Sequence, residues 1–271
     1  MQIETLSVPQ TRFGSFIKAY IQDDWYDKRH LCCLRPGILI LPGGGYSFTS
    51  DREAEPIALY YLNEGYNAFV LRYTVAPEAK WPDQLEEAMR SMAMLRERAA
   101  EWGMDPQRLA VIGFSAGGHL AANLAVDSSD PDLLRQFGLT REQVRPDAVI
   151  LSYAVISSGP YQHEGSFDCL LRESAHDPAL RERVSLEKRV TADTPPCYIW
   201  HTADDGAVPV QNSLLFAQAL ADYQVPFSLR IFEHGPHGLA RARWFDNNQL
   251  DDLEIAGWTE ESARFLEKHL G

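Results

Sequence analysis

The segment Leu109-Ala110-Val111-Ile112-Gly113-Phe114-Ser115-Ala116-Gly117-Gly118 runs from four apolar residues straight into a serine flanked by glycines. A short apolar run ended by a glycine reads as a strand buried on both faces. Ala121, Ala122, Leu124 and Ala125 follow, small residues suited to a closely packed helix. Strand, sharp turn and helix are the setting in which G-x-S-x-G has a mechanical meaning. The serine is forced onto a strained turn that exposes its hydroxyl. The residues two before and two after it pass so close to other backbone that glycine suits both places. Without that setting the pattern says little, since average composition yields it by chance in about one chain in ten of this length. The plain alternative is a glycine-rich turn whose serine only caps the helix.

On the N-terminal side, Gly37-Ile38-Leu39-Ile40-Leu41 is a second apolar run, ended by Pro42-Gly43-Gly44-Gly45. It reads as a buried strand feeding a functional loop. Ala54, Ile57, Ala58, Tyr61 and Leu62 share one face of a helix over 54–64, with Gly65 as its stop. Residues 67–73 read as the next strand. Pro82 opens a helix whose stripe is Leu85, Ala88, Met89, Met92, Leu95, Ala99 and Trp102, closed by Gly103. Arg90, Arg96 and Arg98, set among Glu86, Glu87, Glu97 and Glu101, read as its solvated face. On the C-terminal side, 148–153, 197–200 and 227–232 are strand-like, and 214–220 is a helix between the last two. Residues 13–24 alternate loosely and are too polar for a central position, so antiparallel edge strands are expected there. The sum is a single α/β domain over 1–271, a mostly parallel central sheet with helices on both faces. Residues 157–195 break the rhythm and are read as an excursion above the sheet that borders a pocket.

Twenty-five basic against thirty-eight acidic residues give a formal charge of -13. With no local block of Lys and Arg, a nucleic-acid partner is not expected. No segment is apolar for long enough to span a membrane, and the N-terminus has no signal-peptide pattern, so a cytoplasmic location is expected. Cys32, Cys33, Cys169 and Cys197 lack zinc-type spacing and read as free thiols.

A serine hydroxyl is a poor nucleophile until a base takes its proton, so Ser115 demands a histidine and usually an acid. Two segments at strand ends supply candidates, where open α/β sheets place their sites. His201-Thr202-Ala203-Asp204-Asp205 offers two adjacent acids, and His234-Gly235-Pro236-His237 offers two histidines. Pattern alone barely separates the acids and only leans toward His237, which lies deeper in its loop. His234 and His237 lack the helical frame and third acidic ligand of a zinc site, and no metal or cofactor is expected. His119 and His201 are read as structural. Donors for the oxyanion that forms on attack are expected from the N–H groups of Gly44, Gly45 and Ala116. Trp81, Trp258 and Tyr46 are candidates for stacking on a sugar, with packing the equal alternative.

Taken together, Pro42–Tyr46, Ser50–Ala54, Leu71–Tyr73, Gly113–His119, Asp205–Pro209 and Gly235–Gly238 resemble the acetylesterases of the α/β-hydrolase superfamily. The likeness is to the bacterial acetylxylan-esterase-like set, related to the hormone-sensitive-lipase-like esterases, and runs from about residue 35 to the C-terminus. The resemblance implies Ser115 as nucleophile, Asp205 as the acid of D-x-x-V-P and His237 as the base of G-x-H-G. Gly44, Gly45 and Ala116 match the oxyanion donors. One departure is Pro42, where many such proteins have histidine, which bears on the shape of the glycine loop. The resemblance further implies removal of acetyl or other short acyl groups from a small-molecule or oligosaccharide ester, without a cofactor. It also offers an alternative, amide hydrolysis of the kynurenine-formamidase or small-peptidase kind. It leaves a homo-oligomer open.

Overall fold

The computed structural model describes residues 1–23, 34–244 and 251–271. Eight strands form one sheet: β1 (Gln2–Ser7), β2 (Phe16–Ile21), β3 (Arg35–Leu41), β4 (Asn67–Arg72), β5 (Met104–Phe114), β6 (Ala148–Ser152), β7 (Cys197–Thr202) and β8 (Phe227–Phe232), in the order β1-β2-β4-β3-β5-β6-β7-β8. β1 and β2 are antiparallel to their neighbours, and every pair from β4 to β8 is parallel.

Strand pleating sorts the apolar residues into two cores. Leu39, Leu41, Leu109, Val111, Val149 and Leu151 point to one face. There they meet α2 (Asp83–Glu97) and α3 (Ser115–Asp127), through Leu85, Met89 and Met92 and through Leu120 and Ala121. Ile38, Ile40, Ala110, Ile112, Ile150 and Trp200 point to the other face, against Ile57 and Tyr61 of α1 (Glu55–Asn63) and against Trp258 and Leu266 near the C-terminus. Burial on both faces explains why these strands read as continuous apolar runs.

Three sequence expectations change in detail. The segment 13–24 gives one strand, β2, and it is not at the edge: the outermost strand is β1, whose alternating exposure marks a half-solvated position. The stripe from Pro82 to Trp102 is not one helix, since α2 ends at Glu97 and Ala99–Trp102 tightens into a 3₁₀ turn before Gly103, at φ 58°. Glu87, read as solvated, is buried and accepts hydrogen bonds from the N–H and hydroxyl of Thr74 at 2.7 and 2.6 Å. Cys197 is a buried free thiol and Cys169 a half-buried one. Cys32 and Cys33 lie outside the described residues. Among those residues no helix is long and apolar enough to cross a membrane.

Within residues 157–195 lie α4 (Glu164–Leu171) and α5 (Pro178–Arg183) with short 3₁₀ turns. Two contacts bind this segment to α3. The Asp127 carboxylate, fully buried at the end of α3, meets Arg183 at 2.7 Å and Arg189 at 3.1 Å. One turn after Ser115, the buried His119 donates from Nε2 to the Val184 carbonyl at 3.0 Å, and its Nδ1 accepts from the Tyr46 hydroxyl at 2.8 Å.

Removing the Asp127 carboxylate takes one of two carboxylates from each of the two guanidinium groups, which keep Asp130 at 3.0 and 3.2 Å. Both are partly exposed and can turn to water, so Asp127→Ala is expected to cost about 2–3 kcal/mol, below the usual figure for a fully buried pair. Urea unfolding measures it, and a loss under about 1 kcal/mol would show that the ion pairs do not hold the segment. His119 predicts a pH dependence. Burial pushes its pKa down from 6.5 to about 4, with the Val184 carbonyl opposing. Between those values the unfolded chain binds a proton that the folded chain refuses, so this part of the stability is complete above the window and lost as pH falls through it. The loss is about 3 kcal/mol. Stability should therefore fall less steeply from pH 7 to 4 in His119→Gln than in the wild type, and parallel curves would discard His119 as the source.

Candidate active site

Four parallel strands deliver the candidate residues to one end of the sheet. β3 ends at Leu41 and leads into the glycine loop; β5 ends at Phe114, immediately before Ser115; β7 leads to Asp205; and β8 leads to His237. Ser115 has φ 53°, in the left-handed region that a residue with a Cβ avoids. The flanking glycines allow it. A Cβ on Gly113 would stand 2.1 Å from the Gly117 carbonyl oxygen, and one on Gly117 would stand 2.2 Å from the Leu41 oxygen.

The structure brings Ser115, His237 and Asp205 together. His237 Nε2 lies 2.8 Å from Ser115 Oγ, and its Nδ1 lies 2.7 Å from Asp205 Oδ2. A carboxylate only accepts, so Nδ1 carries the proton and Nε2 is free to accept from the serine hydroxyl. Asp205 Oδ1 accepts the N–H groups of Ala207 and Val208, both at 2.9 Å. Burial pushes the Asp205 carboxyl up. Hydrogen bonds from His201 and His237 and the Val208 N–H outweigh it and hold the group well below the usual carboxylate range.

The other acid and histidine also pair, but away from Ser115. Asp204 Oδ2 meets His234 Nδ1 at 3.0 Å, and the His234 side chain is 75% exposed. Hydrogen bonds from the Gly235 N–H and from His234 lower the Asp204 pKa, and the Asp204 carboxylate raises that of His234. The two histidines thus turn to different carboxylates. His201 is fully buried, with Nε2 3.0 Å from the Val208 carbonyl and 3.3 Å from Asp205, and Nδ1 bonded to the Ser213 hydroxyl at 2.8 Å. It holds Asp205 in place, and among the described residues its ring nitrogens bond Ser213, Val208 and Asp205, not Ser115.

Gly44 (φ 128°) and Gly45 (φ 63°) line a cleft of about 290 Å³ together with Ser115, His237, Phe48, Arg52 and His163. Among the described residues the N–H groups of Gly44 and Gly45 have no protein acceptor. Ala116 lies in the first turn of α3, where N–H groups lack intrahelical acceptors. All three can therefore serve a ligand oxygen. A wider cleft of about 570 Å³ opens near the start of β3, beside Pro36 and Arg108, far along the strands from Ser115. Among the described residues, its lining holds no serine, cysteine or histidine.

Tyr46 and Trp258 are buried, the first bonded to His119 and the second stacked 5.0 Å from Trp200. Neither offers a face to a sugar. Trp81 is half-buried, with its indole N–H on Asn123 and Arg183 above its ring. The aromatic exposed at the cleft is Phe48, at 59%. Sequence reading passed over it, along with His163, Glu53 and Tyr153. The Glu53 carboxylate is buried under the glycine loop and accepts the Gly43 N–H at 2.8 Å and the Tyr153 hydroxyl at 2.7 Å. Glu53 lies within Ser50–Ala54, a stretch that carries the family likeness, so the sequence holds a signal there without a role attached to it.

The family profile described as BD-FAE matches residues 26–220. Endo-1,4-beta-xylanase B of Butyrivibrio fibrisolvens is 39% identical over 251 residues, covering 89% of this chain and 36% of the xylanase. An acetylxylan esterase of Xylanibacter ruminicola is 28% identical over 242 residues, covering 85% of this chain and 48% of the esterase. The chain thus spans roughly a third to a half of these curated relatives. Among solved structures, the acetyl ester-xyloside bifunctional hydrolase from Caldicellulosiruptor lactoaceticus has a TM-score of 0.83 at 36% identity, with 98% of this chain and 96% of that one covered. With this profile and this fold, the chain belongs to the BD-FAE family, among the hormone-sensitive-lipase-like esterases of the α/β-hydrolase fold.

Proposed function

We propose that this chain is a serine carboxylesterase that removes acetyl or other short acyl groups from carbohydrate esters such as acetylated xylo-oligosaccharides. The observation that carries the reading is the continuous line from Asp205 through both nitrogens of His237 to Ser115 Oγ, with contacts of 2.7 and 2.8 Å. In this reading His237 Nε2 takes the Ser115 proton as Oγ attacks the acyl carbonyl. Asp205, held as a carboxylate, keeps the proton on Nδ1 and stabilises the imidazolium. The N–H groups of Gly44, Gly45 and Ala116 meet the oxygen as it becomes negative. His237 then returns its proton to the departing alcohol, leaving an acyl-serine. Water, deprotonated by the same nitrogen, releases the acid.

The substrate class rests on the site and on the relatives. A cleft of about 290 Å³ is at the small end for a ligand site and suits a short acyl chain with part of its alcohol. His163 gives residues 157–195 a wall of that cleft, which we take as their role. The names of the xylanase, the acetylxylan esterase and the acetyl ester-xyloside hydrolase favour the esters of xylan.

Ser115→Ala should abolish hydrolysis of p-nitrophenyl acetate while circular dichroism stays that of the wild type; a variant that keeps its rate ends the proposal. Asp205→Asn should lower kcat by about 10⁴-fold, because the tautomer of His237 is then wrong. Asp204→Asn, on an exposed pair, should stay within about threefold of the wild type. The substrate is tested by rates on acetylated xylo-oligosaccharides, alkyl esters of increasing length and an N-formyl aromatic amine. The oligosaccharides should lead, and the formamide leading would instead assign amide hydrolysis.

A further inference from the structure

We infer that Glu53 is a positioning residue that sets the glycine loop and the histidine loop relative to each other. The inference rests on the Ser115 reading above and goes beyond it to residues that touch no substrate. Glu53 is 2% exposed. One of its oxygens accepts the N–H of Gly43, the residue before the two proposed oxyanion donors, at 2.8 Å. The other lies 2.7 Å from the Tyr153 hydroxyl. That hydroxyl also accepts the N–H of Ala240 at 3.0 Å, so its single proton goes to Glu53. Ala240 lies three residues after His237, and the Tyr153 ring meets the His237 ring edge-on, with centroids 5.0 Å apart. One carboxylate and one phenol therefore span from the backbone beneath the oxyanion donors to the backbone and ring of the base.

The chemistry of the link argues against simple packing. Both Glu53 oxygens receive donors and neither meets an acceptor, which is the pattern of an ionised carboxylate. No basic side chain pairs with it among the described residues. A buried charge held only by neutral donors costs folding free energy that an apolar side chain of similar size would not. Tyr153 adds a second mark: it sits at φ 38°, strained, directly after β6. There is no room to slacken the joint. A Cβ on Gly43 would lie 2.8 Å from the Glu53 carboxylate and 3.0 Å from the Ser115 Cβ.

The test is a double-mutant cycle on p-nitrophenyl acetate with Tyr153→Phe, Glu53→Gln and both together, alongside Ser115→Ala. Tyr153→Phe keeps the ring against His237 and removes only the hydroxyl. It should lower kcat by about 10- to 100-fold with KM within about twofold, since a small misplacement of reacting groups costs rate more than binding. Glu53→Gln should do the same, and the double variant should be no slower than the slower single, because both changes cut one link. If Glu53→Gln fails to fold, Tyr153→Phe alone decides through its kcat and KM. A kcat for Tyr153→Phe within about twofold of the wild type, or single losses that multiply in the double variant, overturns the inference. An inactive Ser115→Ala beside either result shows that only the positioning role has failed. An active Ser115→Ala removes the reading beneath it.

Discussion

The site depends on how closely three pieces of backbone meet behind Ser115. The turn from β5 into α3 holds a left-handed serine, a conformation that costs roughly 1–2 kcal/mol for a residue with a Cβ. Gly113 and Gly117 make it possible by letting the two arms of the turn touch, and Gly117 also lies against the carbonyls of Leu41 and Pro42. The Ser115 turn is thereby pressed onto the end of β3, where the glycine loop begins. Ser115 and the glycine loop are neighbours because β3 and β5 are paired in the sheet, with Leu41 opposite Gly113. Their proximity follows from strand order, and no side chain has to supply it.

β7 and β8 complete the site by a different means. Their loops contain two His–Asp pairs of the same chemistry, and burial is what distinguishes them. His234 and Asp204 lie in solvent, where such a pair orients little. Asp205 lies inside, with Val208, Ala207 and His201 fixing both its oxygens, and His201 is fixed in turn by Ser213. A carboxylate so held cannot turn away from the imidazole, and the hydrogen bonds that lower its pKa favour its acceptor form.

Much of this was legible in the chain. The runs 37–41 and 109–112 are apolar throughout because both faces of the sheet are covered, and their breakers mark where the loops begin. The glycines around Ser115 are legible because the turn leaves no volume for anything else. What escaped has physical causes. β1 is half-solvated, so its few apolar residues are mixed with polar ones and give no clear strand signal, although it lies outside the mostly buried β2. Asp204 and Asp205 differ by one position in a loop, and a loop has no period to say which points inward. The likeness to known esterases chose Asp205, and the geometry joins Asp205 to His237 at 2.7 Å. Glu53 and Tyr153 are a hundred residues apart. Each looks ordinary in its own segment, and only the folded chain gives them a common role.

The same helix that begins with Ser115 also holds the far wall of the cleft. Its first turn carries the serine, its second carries His119, and its last residue is Asp127. His119 grips Val184 on one side and Tyr46 of the glycine loop on the other, while Asp127 grips Arg183 and Arg189. Asn212, at the start of the helix Gln211–Asp222 after β7, adds a third tie through the N–H groups of Ile156 and Ser157 and the carbonyl of Tyr161. His163, which faces the cleft, therefore sits on a segment anchored before and after it. An insertion fastened to the helix that begins with Ser115 moves with Ser115. The distance from Ser115 to that wall is then a property of packed backbone, and in the proposed reaction that distance would set which acyl groups fit.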